Sequence, residues 1–256
     1  MKVIDCFPFF DEFLILDIRF SELYDVVDKF IIVEAEETFS GIEKPLYLSE
    51  VLNEKYPQYA DKVEIIKVPK IESNGAWERE YFQKNHISKQ GLSFLNLSDD
   101  DLILFADADE IPRASAVIDM VDNGYDHNGE GLGGPCFYYK LNILTSEYSY
   151  RPKAIAYKNF TNHTEQRYAT HPIRPDAGWH FSYLKTPENI KKKIQAFSHQ
   201  EFNNDDINNI DNISSSIENV KDLFGRREVT LSVVDIDDSF PRYIRDNKDI
   251  LSEWIA

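Results

Sequence analysis

Asp107-Ala108-Asp109-Glu110 follows the apolar run Leu102-Ile103-Leu104-Phe105 and is closed by Pro112. A short apolar run bounded by turn signals reads as a buried strand, and ligands of α/β folds gather at the carboxyl ends of such strands. Two aspartates one residue apart at that rim can offer oxygen ligands to a hard divalent cation, as phosphate chemistry requires. The bland alternative is a solvated acidic turn. Among enzymes, a nucleoside triphosphatase would need a Gly-Lys phosphate loop, and no Gly-Lys pair occurs. A hydrolase forming an aspartyl phosphate would usually carry its acids on the first strand, and here they follow about the fourth. The hydrolase stays a minor alternative to a third reading, a nucleotide-sugar transferase, in which a metal on the Asp pair offsets the charge of the departing diphosphate.

Arg79, Gln83 and His86 fall at i, i+4 and i+7 of a helical stretch, so one face could reach a ligand or simply meet solvent. Residues 171–181 gather His171, Arg174, Asp176, Trp179 and His180. His199 and Glu201 follow an amphipathic stretch containing Ile190, Ile194 and Phe197.

The elements that must position these groups alternate strand and helix. Strands are expected at Lys2 to Cys6, Phe30 to Val33, Val63 to Val68, 102–106, Phe137 to Tyr139 and Ile155 to Tyr157. Helices are expected over Phe13 to Tyr24, Val51 to Tyr59, Gly75 to Leu92, Pro112 to Asn123, from Thr186, and near Tyr243 to Trp254. Phe7-Pro8-Phe9-Phe10 is the loop closing the first strand, and Glu34 ends the second. Gly129 to Gly134 reads as flexible, Phe160 to Thr170 as a polar loop, and the Asn/Asp/Ser-rich stretch 203–219 as a mobile loop. The pattern predicts an α/β fold with a mainly parallel central sheet, built as one domain over 1–256. Residues 1–125 would form a nucleotide-binding half and 126–256 an acceptor-binding half.

The chain has 256 residues, 42% of them apolar, and a net charge of −17 from 28 basic and 45 acidic side chains. This balance disfavours nucleic acid and anionic membrane as partners, and an anionic ligand would need a local cation. Two cysteines, Cys6 and Cys136, are too few for a disulfide framework. With neither a membrane span nor a signal peptide in the sequence, a soluble, cytoplasmic protein is expected.

Four segments in order, Asp11 to Leu23, Val27 to Phe30, Asp107 to Pro112 and Ala177 to Ser182, resemble glycosyltransferase family 17, with the match running to about residue 190. The resemblance implies a GT-A-type Rossmann-like fold, a UDP-sugar donor carrying N-acetylglucosamine, a glycan acceptor, Mn²⁺ or Mg²⁺, and inversion at the anomeric carbon. It implies Asp107 and Asp109 as metal and diphosphate ligands, with His180 as a further metal ligand or a satisfied core histidine. Phe7, Glu34, Arg79 and Gln83 are candidates for the donor, Glu34 through uridine or ribose. Asp176 is the candidate general base, Glu110 a turn-fixing or catalytic acid, and Tyr138, Tyr139 and Trp179 are faces for sugar stacking. A domain of this fold that holds a sugar nucleotide or glycan without turnover is the competing reading.

Overall fold

Odd-numbered and even-numbered residues of the first strand go to different cores, and that alternation organises the molecule. The structure is a computed structural model describing residues 1–256. In chain order its elements are β1 (Val3–Phe9), α1 (Phe13–Leu23), β2 (Lys29–Ala35), α2 (Tyr47–Lys55), β3 (Val63–Val68), α3 (Ala76–Lys84), β4 (Leu102–Phe105), β5 (Glu110–Pro112), α4 (Ala114–Asn123), β6 (Glu130–Leu132) and β7 (Gly134–Tyr138). Then come β8 (Ile143–Ser149), β9 (Lys153–Ala156), α5 (His163–Tyr168), β10 (Ile173–Arg174), β11 (Gly178–Ser182), α6 (Pro187–Ala196), α7 (Ile210–Glu218), β12 (Leu231–Val233) and α8 (Arg242–Asp246).

Val3, Phe7 and Phe9 of β1, Phe30 and Ile32 of β2, and Leu102 and Leu104 of β4 join the larger core with α1. Ile4, Cys6, Ile31, Val33, Ile103 and Phe105 face the other way into a second core. Both faces of these strands are covered, which is why they read as near-continuous apolar runs. The strands form a seven-stranded sheet in the order β10-β6-β9-β4-β1-β2-β3. β4, β1, β2 and β3 are mutually parallel, and β9 runs antiparallel between β4 and β6. The fold is therefore α/β with a mainly parallel central sheet.

A second, five-stranded sheet has the order β12-β8-β7-β11-β5. β5 starts one residue after Asp109 and pairs antiparallel with β11, placing His180 opposite Glu110 and Trp179 opposite Ile111. This pairing joins the acidic turn to the Gly-Trp-His segment across about 70 residues of chain.

Several local expectations need correction. Gly131 and Gly134 sit in β6 and β7, not in a flexible segment. A Cβ on Gly134 would lie 1.7 Å from the Gly178 carbonyl oxygen, so glycine is required by the close approach of two backbones. Pro112 ends β5, and the helix starts at Ala114. The supposed polar loop 160–170 contains α5, capped by the Asn162 side chain on the Glu165 amide. The supposed mobile loop 203–219 contains α7, whose Ile213 is fully buried against Ile190 and Ile194 of α6. Its Ile210, Ile213 and Ile217 have helical spacing, a signal outweighed by the polar composition around them.

Candidate functional site

Where β4 ends, the chain must turn sharply, and a buried arginine holds the turn. Arg19 of α1 and Asp5 of β1 are both fully buried and pair at 2.6 Å. The same guanidinium donates to the carbonyls of Asp107, Ala108 and Glu110 at 3.1, 3.1 and 2.9 Å. Its plane lies 4.2 Å above the Phe7 ring. The signal for this device was present in the sequence: an aspartate inside an apolar strand and an arginine on the apolar face of a helix, each needing a partner once buried.

The turn displays its acids into a cleft of about 720 Å³ lined by both sheets and by α3, α5 and α6. Asp107 meets Lys84 at 2.7 Å and Arg167 at 2.8 Å. Asp109 meets Lys193 at 2.8 Å, and its other oxygen stands 3.7 Å from Nε2 of His180. Glu110 takes a bidentate pair of bonds from Arg167, at 2.7 and 2.8 Å, and accepts the Asp107 amide at 2.9 Å. Burial by itself would raise the Asp107 carboxyl, but Arg167 and Lys84 hold it well below the ordinary carboxylate range. Burial likewise opposes the charge on Asp109, and Lys193 and His180 reverse it. Both aspartates are thus ionised at neutral pH and face an open cavity.

The three cations were not singled out in the sequence. Lys84 ends α3, Arg167 sits on the unexpected α5, and Lys193 lies on α6. The Asn162-x-x-Glu165 pattern of a helix start was the one local hint for α5.

The cleft receives Asp107, Asp109, Glu110, His180, Tyr138 and Gln83 among the candidates, and His199 besides. Gln83 is tied by its amide to the Glu37 carbonyl at 3.0 Å. The other candidates lie elsewhere, each for a physical reason. Glu34 is fully buried and accepts from the Leu48 and Ser49 amides at 2.7 and 2.9 Å and from the Ser49 hydroxyl at 2.7 Å, so it caps α2. Phe7 is the floor under Arg19. Arg79 is held by Glu37 at 3.4 Å and by the Ser73 carbonyl. Tyr139 is buried, with its hydroxyl between the Lys221 carbonyl and the Leu223 amide.

Strand alternation decides the Gly-Trp-His segment. His180 and Ser182 face the cleft, whereas Trp179 and Phe181 enter the core. Trp179 donates to the Ser239 carbonyl at 3.0 Å, with Arg113 4.0 Å over its ring. Asp176 occupies a turn at φ 50°, exposed and outside the cleft. Only its amide approaches the site, donating to the Tyr148 hydroxyl at 3.1 Å. Arg174 pairs with Asp119 and Glu130.

A family model described as Glycosyltransferase family 17 matches residues 1–236. The chain belongs to glycosyltransferase family 17. The β-1,4-mannosyl-glycoprotein 4-β-N-acetylglucosaminyltransferases of Rattus norvegicus and Homo sapiens are each 27% identical to it over 236 residues, covering 78% of this chain. The family 17 chain spans 44% of the length of these curated relatives. Among solved structures, a 4-diphosphocytidyl-2C-methyl-D-erythritol synthase aligns over 67% of this chain and 87% of its own, at 15% identity and a TM-score of 0.41. A galactosyltransferase solved with donor and acceptor sugar analogues aligns over 100% of this chain and 97% of its own, at 10% identity and a TM-score of 0.31.

Proposed function

We propose that this chain transfers N-acetylglucosamine from a UDP-sugar to a glycan hydroxyl, with inversion, using Mn²⁺ or Mg²⁺ at Asp109. The observation that carries the reading is the pair Asp107 and Asp109 at the carboxyl end of β4, ionised on the floor of a cleft that His180 also lines. The N-acetylglucosaminyltransferases among its relatives support N-acetylglucosamine as the sugar.

No three His, Cys, Asp or Glu side chains converge to cage a metal alone. The donor set nevertheless fits a shared site. Asp109 Oδ1 and His180 Nε2, 3.7 Å apart, are too distant for a hydrogen bond. Asp109 and His180 would hold the ion, a carboxylate oxygen and an imidazole nitrogen both being suitable ligands for Mn²⁺. Diphosphate oxygens and water would complete the shell, as is usual for Mg²⁺. A bound ion supplies charge compensation for the departing diphosphate.

The remaining roles belong to the protein. Lys84 and Arg167 keep Asp107 and Glu110 ordered, so the turn keeps its shape when ligands arrive. Trp77, Tyr148, Tyr150 and Tyr168 line the cleft with exposed rings, replacing Trp179 and Tyr139 as faces on which acceptor sugars stack. Glu147 replaces Asp176 as the proton acceptor. Its side chain is 38% exposed, against 28% for Asp107 and 12% or less for Asp109, Glu110, Glu12, Glu37 and Glu80, the other carboxylates of the cleft. Tyr138 donates to one Glu147 oxygen at 3.0 Å and Arg226 to the other at 3.1 Å, fixing its orientation. Glu147 takes the hydroxyl proton as the acceptor oxygen attacks the anomeric carbon and the bond to diphosphate breaks.

Calorimetry of UDP binding with and without Mn²⁺ tests the reading. Wild type should bind UDP more tightly with Mn²⁺, and folded Asp109→Asn should lose that increment. An unchanged increment in the mutant removes Asp109 from the metal site.

A further inference from the structure

We propose that Lys193, the counter-ion of Asp109, passes to the donor's diphosphate when a divalent cation takes its place. The proposal rests on the metal and UDP reading above. Asp109 is 8% exposed, and a carboxylate buried to that degree needs a cation close by in every state of the site. Lys193 is that cation here, with Nζ 2.8 Å from Oδ2.

The three cations of the turn are not equivalent. Arg167 is shared between Asp107 and a bidentate bond to Glu110, and Lys84 is shared between Asp107 and Glu80 at 2.7 Å each. Removing either would break two ionic contacts. Lys193 has Asp109 as its single ion-pair partner, on a flexible four-carbon stem. It is the cation that can leave.

A divalent ion between Asp109 and His180 would put two positive charges beside the ammonium, and repulsion at that range disfavours both staying. The face of Tyr183, 5.3 Å from Nζ, gives the displaced ammonium an apolar path to swing across. With metal alone there is no new anion to receive it, so the ion competes with Lys193. With UDP present the diphosphate receives it, and competition becomes cooperation. Metal and UDP should therefore tighten each other's binding by one common factor, since coupling is reciprocal.

The test is Mn²⁺ titration followed by electron paramagnetic resonance of the free ion, with and without UDP, on wild type, Lys193→Met and Lys193→Gln. Near-ultraviolet circular dichroism establishes that each variant is folded, and Gln, which can still hydrogen-bond Asp109, covers a failure of Met to fold. Both variants should bind Mn²⁺ alone about tenfold more tightly than wild type, and the gain in Mn²⁺ affinity on adding UDP should shrink by about tenfold or more, within the usual range of coupling. If wild type shows the UDP-induced gain and both variants keep it with unchanged affinity for Mn²⁺ alone, Lys193 is a structural ion pair and the metal reading stands. If wild type binds no Mn²⁺ with or without UDP, the metal reading falls and takes this role with it.

Discussion

Arg167 grips Glu110 with two parallel bonds, Nη1 to Oε2 at 2.7 Å and Nη2 to Oε1 at 2.8 Å, across 57 residues of sequence. Glu110 in turn accepts the Asp107 amide, so the guanidinium on α5 fixes the turn that carries the acidic pair. Arg167→Met would leave Glu110, 2% exposed, as an unpaired buried charge. A loss of about 3–5 kcal/mol in urea unfolding is expected, with a smaller loss for Arg167→Lys, which keeps charge but not the fork. A loss under about 1 kcal/mol for the Met variant would show that the turn is held chiefly by Arg19.

Glu34 should affect folding and leave nucleotide binding alone. Glu34→Ala removes three hydrogen bonds to the first turn of α2, two from backbone amides that would then be left without an acceptor. About 1–3 kcal/mol of stability should go. UDP affinity measured on the folded variant should match wild type, and a tenfold drop would return Glu34 to the donor site.

Glu147→Gln keeps the shape of the side chain and its acceptor oxygen but cannot take a proton. Transfer per folded molecule should fall by about 10²–10⁴, with UDP and Mn²⁺ affinity unchanged. Asp176→Asn should transfer at the wild-type rate. The reverse pattern would restore Asp176 as the base.

His163 is fully buried beneath the acidic turn, with Nε2 3.3 Å from the Ala106 carbonyl. Burial, assisted by the nearby Lys84 charge, pushes its pKa down to about 3. Below an ordinary value of about 6.5 the unfolded chain binds a proton here that the folded chain does not, so stability falls as pH falls, by about 1.4 kcal/mol per unit, until the folded histidine titrates. Asp107 works in the same direction at lower pH. Its depressed carboxyl stabilises the fold above the unfolded value of about 3.9, and that contribution is lost as pH drops towards the folded value. Urea unfolding of wild type and His163→Phe between pH 7 and pH 4 should show a shallower acid slope in the variant. Equal slopes would mean that His163 is charged in the folded state.

Patterns that repeat along one element were legible in the sequence. Unbroken apolar runs marked strands buried on both faces, the period of 3.6 marked α1, and the acids at the end of β4 marked the floor of the cleft. Family membership was legible for the same reason, because it rests on ordered local motifs. What the tertiary structure decided was pairing and direction. The side chain of Trp179 enters the core and that of His180 the cleft because β11 lies between β5 and β7, and a strand turns successive side chains to opposite faces. Glu34 became a helix cap because α2 starts beside the end of β2. Lys84, Arg167 and Lys193 meet the acidic turn from three helices, and no local periodicity encodes a contact between charges 57 or 84 residues apart. Burial makes such partners obligatory, and only the packing of the helices decides which cation each acid receives.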